Sequence, residues 1–172
     1  MEAAKTAVHS LVLNRVDYAN SQFLNAPKSL ISRLQKIQNA AARLIYKVPR
    51  QEHITPYLQD LHWLKVEYCI KYKVLVLAFL SITGKAPSYI ADMLTVKTYP
   101  RPLRSEREVR LEDNNLGLKP QQITKYGRRT FEHSILSVWN HLLAEIRTAT
   151  SVASFKSRLK KHFFCECYGL PP

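Results

Sequence analysis

Three sets of side chains carry charge at a spacing regular enough to do chemistry, and all three are basic. Arg33, Lys36, Arg43 and Lys47 recur along a segment that reads as a helix. At about 100° per residue they share an arc of about 80°. Such a row can lie along a phosphate backbone while its apolar neighbours stay buried. Lys156, Lys160 and Lys161 line the polar side of a last helix in the same way. In a proline-punctuated stretch, Arg101, Arg104, Arg107 and Arg110 recur every third residue, and Arg104 and Arg107 are the candidates there. Glu106, Glu108, Glu112 and Asp113 partly neutralise this third run, so it can also pair with itself. Contacts from such rows fix position on a nucleic acid without reading its sequence. Four of them on a duplex predict a log-log salt slope of about −3.

Chemistry of bond making and breaking is missing. A polymerase or nuclease brings two or more carboxylates together on divalent metal. Here the acids are scattered, and the adjacent pair Glu112-Asp113 lies inside the arginine-rich stretch of residues 96–126, with no apolar strand to present it. No Gly-x-x-x-x-Gly-Lys, Gly-x-Ser-x-Gly or His-Glu-x-x-His occurs. His162, Cys165 and Cys167 lack the second half-site of a zinc knuckle, so packing of an amphipathic tail accounts for them better. No catalytic residue, metal or cofactor is expected.

Composition agrees. Twenty-six Lys and Arg against thirteen Asp and Glu leave a net charge of +13. That field attracts polyanions, nucleic acid before anionic membrane. Three cysteines, odd in number and badly spaced for disulfides, suit a reducing compartment. The amino terminus lacks a basic-then-apolar leader pattern. The most apolar run, Val74 to Leu80, follows Lys71 and Lys73 and ends before Gly84, well short of a membrane span. An intracellular protein, nuclear or cytoplasmic and not membrane-bound, is expected.

The elements that must position these charges read as mainly α, with a small irregular or β-hairpin arm at residues 96–126. A first helix covers residues 2–24, with Ala7, Leu11, Val12, Val16 and Tyr18 as a loose apolar face. A second covers residues 27–47, Pro27 suiting its first turn. Its stripe of Leu30, Leu34, Ile37, Ala41, Leu44 and Val48 steps by three and four toward a core. Thr55 is placed to cap a short third helix at Pro56. Residues 65–83 form a central helix apolar on most sides, closed by Gly84. Around it Trp63, Leu75, Phe79, Phe131 and Trp139 are expected to gather in one core. Pro87 opens a short helix through Leu94. Helical pattern returns over residues 128–147, and Ser151 caps a last helix with Val152, Phe155, Leu159 and Phe163 inward. The expected organisation is a helical core at 1–95, the arm at 96–126, a helical region at 127–168 packing on the core, and a loose tail at 169–172.

Several strings in order resemble one family. Val8-His9-x-Leu11-Val12-x-Asn14-Arg15-Val16-Asp17-Tyr18-x-Asn20-Ser21 comes first, then Arg33-Leu34-Gln35-Lys36-Ile37-Gln38-Asn39-Ala40-Ala41-Ala42-Arg43. His53-Ile54-Thr55-Pro56, Leu61-His62-Trp63-Leu64, Gly84-x-Ala86-Pro87-Ser88-Tyr89 and Leu103-Arg104-Ser105 follow. Tyr126-Gly127, Trp139-Asn140-x-Leu142, Glu145-Ile146-Arg147 and Ser154-Phe155-Lys156-Ser157 complete the series. Together they resemble the segment that follows the palm and thumb in jockey-like and chicken-repeat-like non-LTR (LINE) retrotransposon reverse transcriptases. Four departures stand out. Ala19 replaces a usual cysteine, Asn25-Ala26 a glycine-containing pair, and Lys65 and Leu143 replace prolines.

The resemblance implies that the palm, with its metal-binding aspartates, and the fingers belong upstream of Met1. It implies a module that holds RNA or DNA, as template, primer or element RNA, beside the rest of a reverse transcriptase, and performs no phosphoryl transfer. The alternative is a protein-interaction module, or an inactive retroelement relic, whose charge is merely inherited.

Overall fold

A computed structural model of the chain describes residues 2–94, 111 and 131–171. It is mainly α, as the periodicity indicates. The chain falls into two compact units, one of Met1–Ile70 with His162–Pro172 and one of Lys71–Lys161. Among the described residues no helix is long and apolar enough to cross a membrane.

In the first unit, α1 (Glu2–Val8) runs through a π turn (His9–Leu13) into α2 (Asn14–Asp17). The single helix expected over residues 2–24 therefore stops at Asp17. Ala19 takes the left-handed conformation (φ 51°), and Asn20 opens a 3₁₀ turn through Phe23. Asn20 is wholly buried, and its amide donates to Asp17 Oδ1 at 3.0 Å, which makes the corner a built feature. The inward face differs too. Val8 is buried and Val12 packs beside it, whereas Ala7, Leu11 and Tyr18 are exposed. A π turn takes in one extra residue and so rotates the register that a 3.6-residue period would give.

α3 (Lys28–Tyr46) begins one residue after Pro27, which serves as its cap and not as part of its first turn. α4 (Thr55–Asp60) carries no side-chain cap. Ile54 is the cap residue and Thr55 already lies inside the first turn, too late to cap it. Val8, Ala41 and Ile45 form a buried cluster, with Val12, Tyr46, Leu61 and Trp63 packed on it. Trp63 thus packs on this cluster and is half-buried, where burial in one core around residues 65–83 is expected.

α5 (Val66–Ile82) matches its expected span to within one residue at each end. Gly84, at φ 67°, ends it, while the N–H groups of Lys85 and Ala86 both bond Leu80 O. This is the left-handed close that glycine takes without steric cost.

In the second unit Leu75 and Phe79 are buried together with Ile135, Trp139, Phe155 and Leu159. Phe79 and Phe155 stack at 4.2 Å between centroids, and Trp139 lies 5.9 Å from Phe155. The side chain of Phe131 is outside the described residues. α6 (Ser88–Ala91) follows Pro87. The helix expected over 128–147 is divided into α7 (Phe131–Asn140) and α8 (Ala144–Arg147). Leu143, between them, holds φ −55°, ψ 138°, an extended conformation that no α-helix can pass through. Of the expected arm at 96–126, Leu111 alone is described. It is buried, and its N–H and carbonyl both bond the Asn140 amide at 3.2 Å. α9 (Val152–Tyr168) is capped as the sequence indicates, Ser151 Oγ accepting the Ser154 N–H at 3.1 Å.

Candidate nucleic-acid interface

α3 is oriented by polar bonds that its apolar pattern does not reveal. Its buried residues are Gln38, Ala41, Ala42 and Ile45. Gln38 is 4% exposed, and its Nε2 donates to Leu64 O at 2.9 Å. Gln35 Nε2 donates to Gln38 Oε1 and Asn39 Oδ1, both at 2.8 Å. Gln35 Oε1 accepts the N–H of Val66 at 2.9 Å, satisfying one of the orphan donors at the start of α5. A buried amide so satisfied costs little. Ala41 and Ala42 add no bulk between α3 and what it packs on. The inward face therefore centres on Gln38, Ala42 and Ile45.

This rotation overturns the expected stripe. Ile37 is 46% and Leu44 66% exposed, while Leu30, Leu34 and Val48 are half-buried and Ala41 alone of the six is buried. The basic row changes with it. Arg33, Lys36 and Lys47 are exposed, and none has a carboxylate partner among the described residues. Lys47 sits one residue past the helix in the left-handed conformation (φ 55°) and closes it.

Arg43 leaves the row. Its Nε donates to Pro49 O at 3.2 Å, and Nη2 donates to Arg50 O at 3.2 Å and Glu52 O at 2.7 Å. One guanidinium thus gathers three carbonyls of the loop after α3. Those donors are spent on backbone, which leaves Arg33, Lys36 and Lys47 as the exposed cations of the row. The planar fork of arginine suits the task, with donors in fixed directions.

α9 keeps its expected arrangement. Phe155 and Leu159 are fully buried and Phe163 nearly so. Lys156, Lys160 and Lys161 are exposed, again without a carboxylate partner among the described residues. Lys156 and Lys160 are one turn apart on one face, and Lys161 broadens it to an arc of about 140°. Between them Ser157 is exposed too, so over residues 156–161 this face presents charge and hydroxyl with no exposed large apolar side chain. Arg158, on the flank, donates from Nη1 to Glu145 O at 2.9 Å and braces the helix. Arg104 and Arg107 lie outside the described residues, as do Glu112 and Asp113.

Other chemistry-bearing groups are occupied structurally. His162 Nε2 lies 3.6 Å from Glu166 Oε2, and Cys167 is buried. Lys65 Nζ donates to Cys167 O at 3.3 Å and stands 5.6 Å above the Tyr168 ring, a cation at the carboxy-terminal end of α9. Burial, before any nearby charge, pushes the Tyr168 phenol well above its ordinary range, and its hydroxyl donates to Trp63 O. Among the described residues no three of His, Cys, Asp or Glu gather where they could hold a metal ion. Sequence reasoning missed Gln35, Gln38 and Asn140, because amides that grip a distant backbone leave no periodic trace.

No family model, curated protein or solved structure matches this chain.

Proposed function

We propose that this chain is a non-catalytic helical module that binds RNA or DNA through its phosphates, of the kind that follows the palm in LINE-type reverse transcriptases. The observation that carries the binding role is the face of α9. Lys156, Lys160 and Lys161 are exposed without a carboxylate partner among the described residues, on a helix anchored from beneath by Phe155 and Leu159. Lysines on a rigid helix lose less freedom on meeting phosphates than those on a loose tail. The net charge of +13 strengthens the attraction at a distance.

Two departures from the family pattern support the wider kinship. Leu143 stands where the pattern has proline, yet its φ −55° and ψ 138° match Pro27 in the same cap role. Asn25, within the pair that replaces a glycine-containing one, holds φ 59°. In both places the backbone keeps a conformation that the usual residue favours, and asparagine is the commonest substitute for glycine there.

Binding of a labelled duplex and a labelled single strand across a salt series tests the binding role. Changing Lys156, Lys160 and Lys161 to Glu is expected to weaken binding by at least about tenfold and to flatten the log-log salt slope by about 2 to 3 on the duplex. The same change at Arg33, Lys36 and Lys47 is expected to do less. Equal losses would mean diffuse charge, and no loss from the α9 set would refute the reading. For the absence of catalysis, primer-template with magnesium or manganese is expected to give no dNTP incorporation. Incorporation that survives Ala at both Glu112 and Asp113 would overturn that part.

A further inference from the structure

The outward face of α3 differs in kind from that of α9. Arg33, Lys36, Ile37, Ala40, Leu44 and Lys47 are all exposed and fall within an arc of about 100°. The cations occupy one flank of this arc, while Ile37 and Leu44 occupy the other, two turns apart with the small Ala40 between them. Single exposed hydrophobes are ordinary, but two in line beside three cations without a carboxylate partner among the described residues form a patch.

Nucleic acid fits this patch poorly. Phosphates and sugars offer nothing to bury Leu44 or Ile37, and neither side chain has a ring face on which a base could stack. A second copy of the chain fits poorly as well. A two-fold contact would set Arg33, Lys36 and Lys47 against their own images, in a chain of net charge +13. A membrane-surface helix needs a broad apolar face, and two side chains do not supply one. Charge complementarity points instead to an acidic, amphipathic partner.

We propose that this face of α3 is a docking surface for an acidic amphipathic helix of a partner protein. Leucine- or methionine-type side chains at i, i+3 or i+4 and i+7 would straddle Ala40 and cover Ile37 and Leu44. Asp or Glu on the partner's adjoining flank would meet Lys36, Lys47 and the forked donors of Arg33. The charged pairs hasten encounter and set orientation, and the apolar pair slows release. The site is independent of the α9 lysines proposed to meet phosphate.

The test is a selection with the full chain as bait, from a library of helical peptides of about five turns displayed on a fixed scaffold. It is run at near-physiological salt with excess unlabelled duplex as competitor. The comparison bait is the double variant Ile37→Ser, Leu44→Ser, which changes exposed positions only and whose melt is checked against the parent. Enriched peptides are expected to be net acidic with an apolar i, i+3 or i+4, i+7 stripe. They are expected to bind the parent at least about tenfold more tightly than the double variant, a difference of about 1.4 kcal/mol. Charge reversal at Arg33, Lys36 and Lys47 is expected to weaken them comparably, and reversal at Lys156, Lys160 and Lys161 is not. Failure to enrich any peptide that distinguishes the two baits overturns the proposal, as does enrichment of peptides without acidic residues. Self-association of the parent that the double variant abolishes overturns it in favour of a second copy. Binding to phosphatidylserine vesicles lost in the same variant overturns it in favour of a membrane surface.

Discussion

α3 and α9 are both long basic helices, of 19 and 17 residues, yet they present different surfaces. α9 buries Phe155, Leu159 and Phe163 and shows lysines. α3 buries two alanines, an isoleucine and a glutamine, and shows Ile37 and Leu44 among its cations. The difference originates in the material beneath each helix. Under α9, aromatic rings from α5 and α7 stack on Phe155 and leave one way to seat the helix. Under α3, hydrogen bonds from Gln35 and Gln38 to the chain around Leu64 and Val66 compete with the leucine stripe and prevail. For α3, charge and periodicity together do not reveal which face meets solvent; the groups on its buried side do.

The largest effect that could break this comparison is in the core under the lysines. Phe155→Ala is expected to cost about 3–5 kcal/mol in urea melts, because it removes a wholly buried ring stacked on Phe79 and close to Trp139. A loss under about 1 kcal/mol would mean that α9 is not seated by that ring and that its lysine face lacks the rigid support argued for it.

Next in size is Arg43. Arg43→Ala is expected to destabilise by about 1–3 kcal/mol, since the carbonyls of Pro49, Arg50 and Glu52 lose a common donor. The salt slope of nucleic-acid binding is expected to stay unchanged, and Arg43→Lys to recover only part of the stability. A slope smaller by about one with the melt unaltered would return Arg43 to a phosphate row on α3 and erase much of the contrast with α9.

The smallest effect lies at the end of α3. A hydrogen bond to the Asp60 carboxylate, with a lesser contribution from burial, pushes the Tyr46 phenol up to about 12 from 10.0. A raised folded value means that the bond's stabilisation is fully present below pH 10 and is lost as pH climbs toward 12. Tyr46→Phe is expected to cost about 0.5–1 kcal/mol at neutral pH, measured by urea melts of both proteins. The gap between parent and variant is expected to close across that alkaline window. No gap at any pH would show that ring packing against Tyr57, 4.9 Å away, which phenylalanine keeps, and not the phenol, holds this end of α3.

Sequence-local signals were legible where one residue's own conformation decides the outcome. Pro27 and Pro87 mark helix starts, Gly84 at φ 67° marks an end, and Ser151 caps α9. The span of α5 and the inward face of α9 also follow from pattern, because a strongly apolar run has few ways to hide. The corner at Ala19 and the break at Leu143 left no such mark, since alanine and leucine carry no intrinsic preference for those backbones.

By itself, then, the sequence determined the helical class, the basic field and the lysine face of α9, all properties of composition or of contacts a few residues apart. Tertiary structure alone decided the exposed face of α3 and the spending of Arg43 on a loop. It also decided the placing of Trp63 beside Val8, Ala41 and Ile45. Each of those outcomes depends on a partner distant in the chain, such as Leu64 O, which lies 26 residues beyond Gln38. A buried polar group accepts only orientations that satisfy its hydrogen bonds, because leaving one unmet costs about 1–3 kcal/mol.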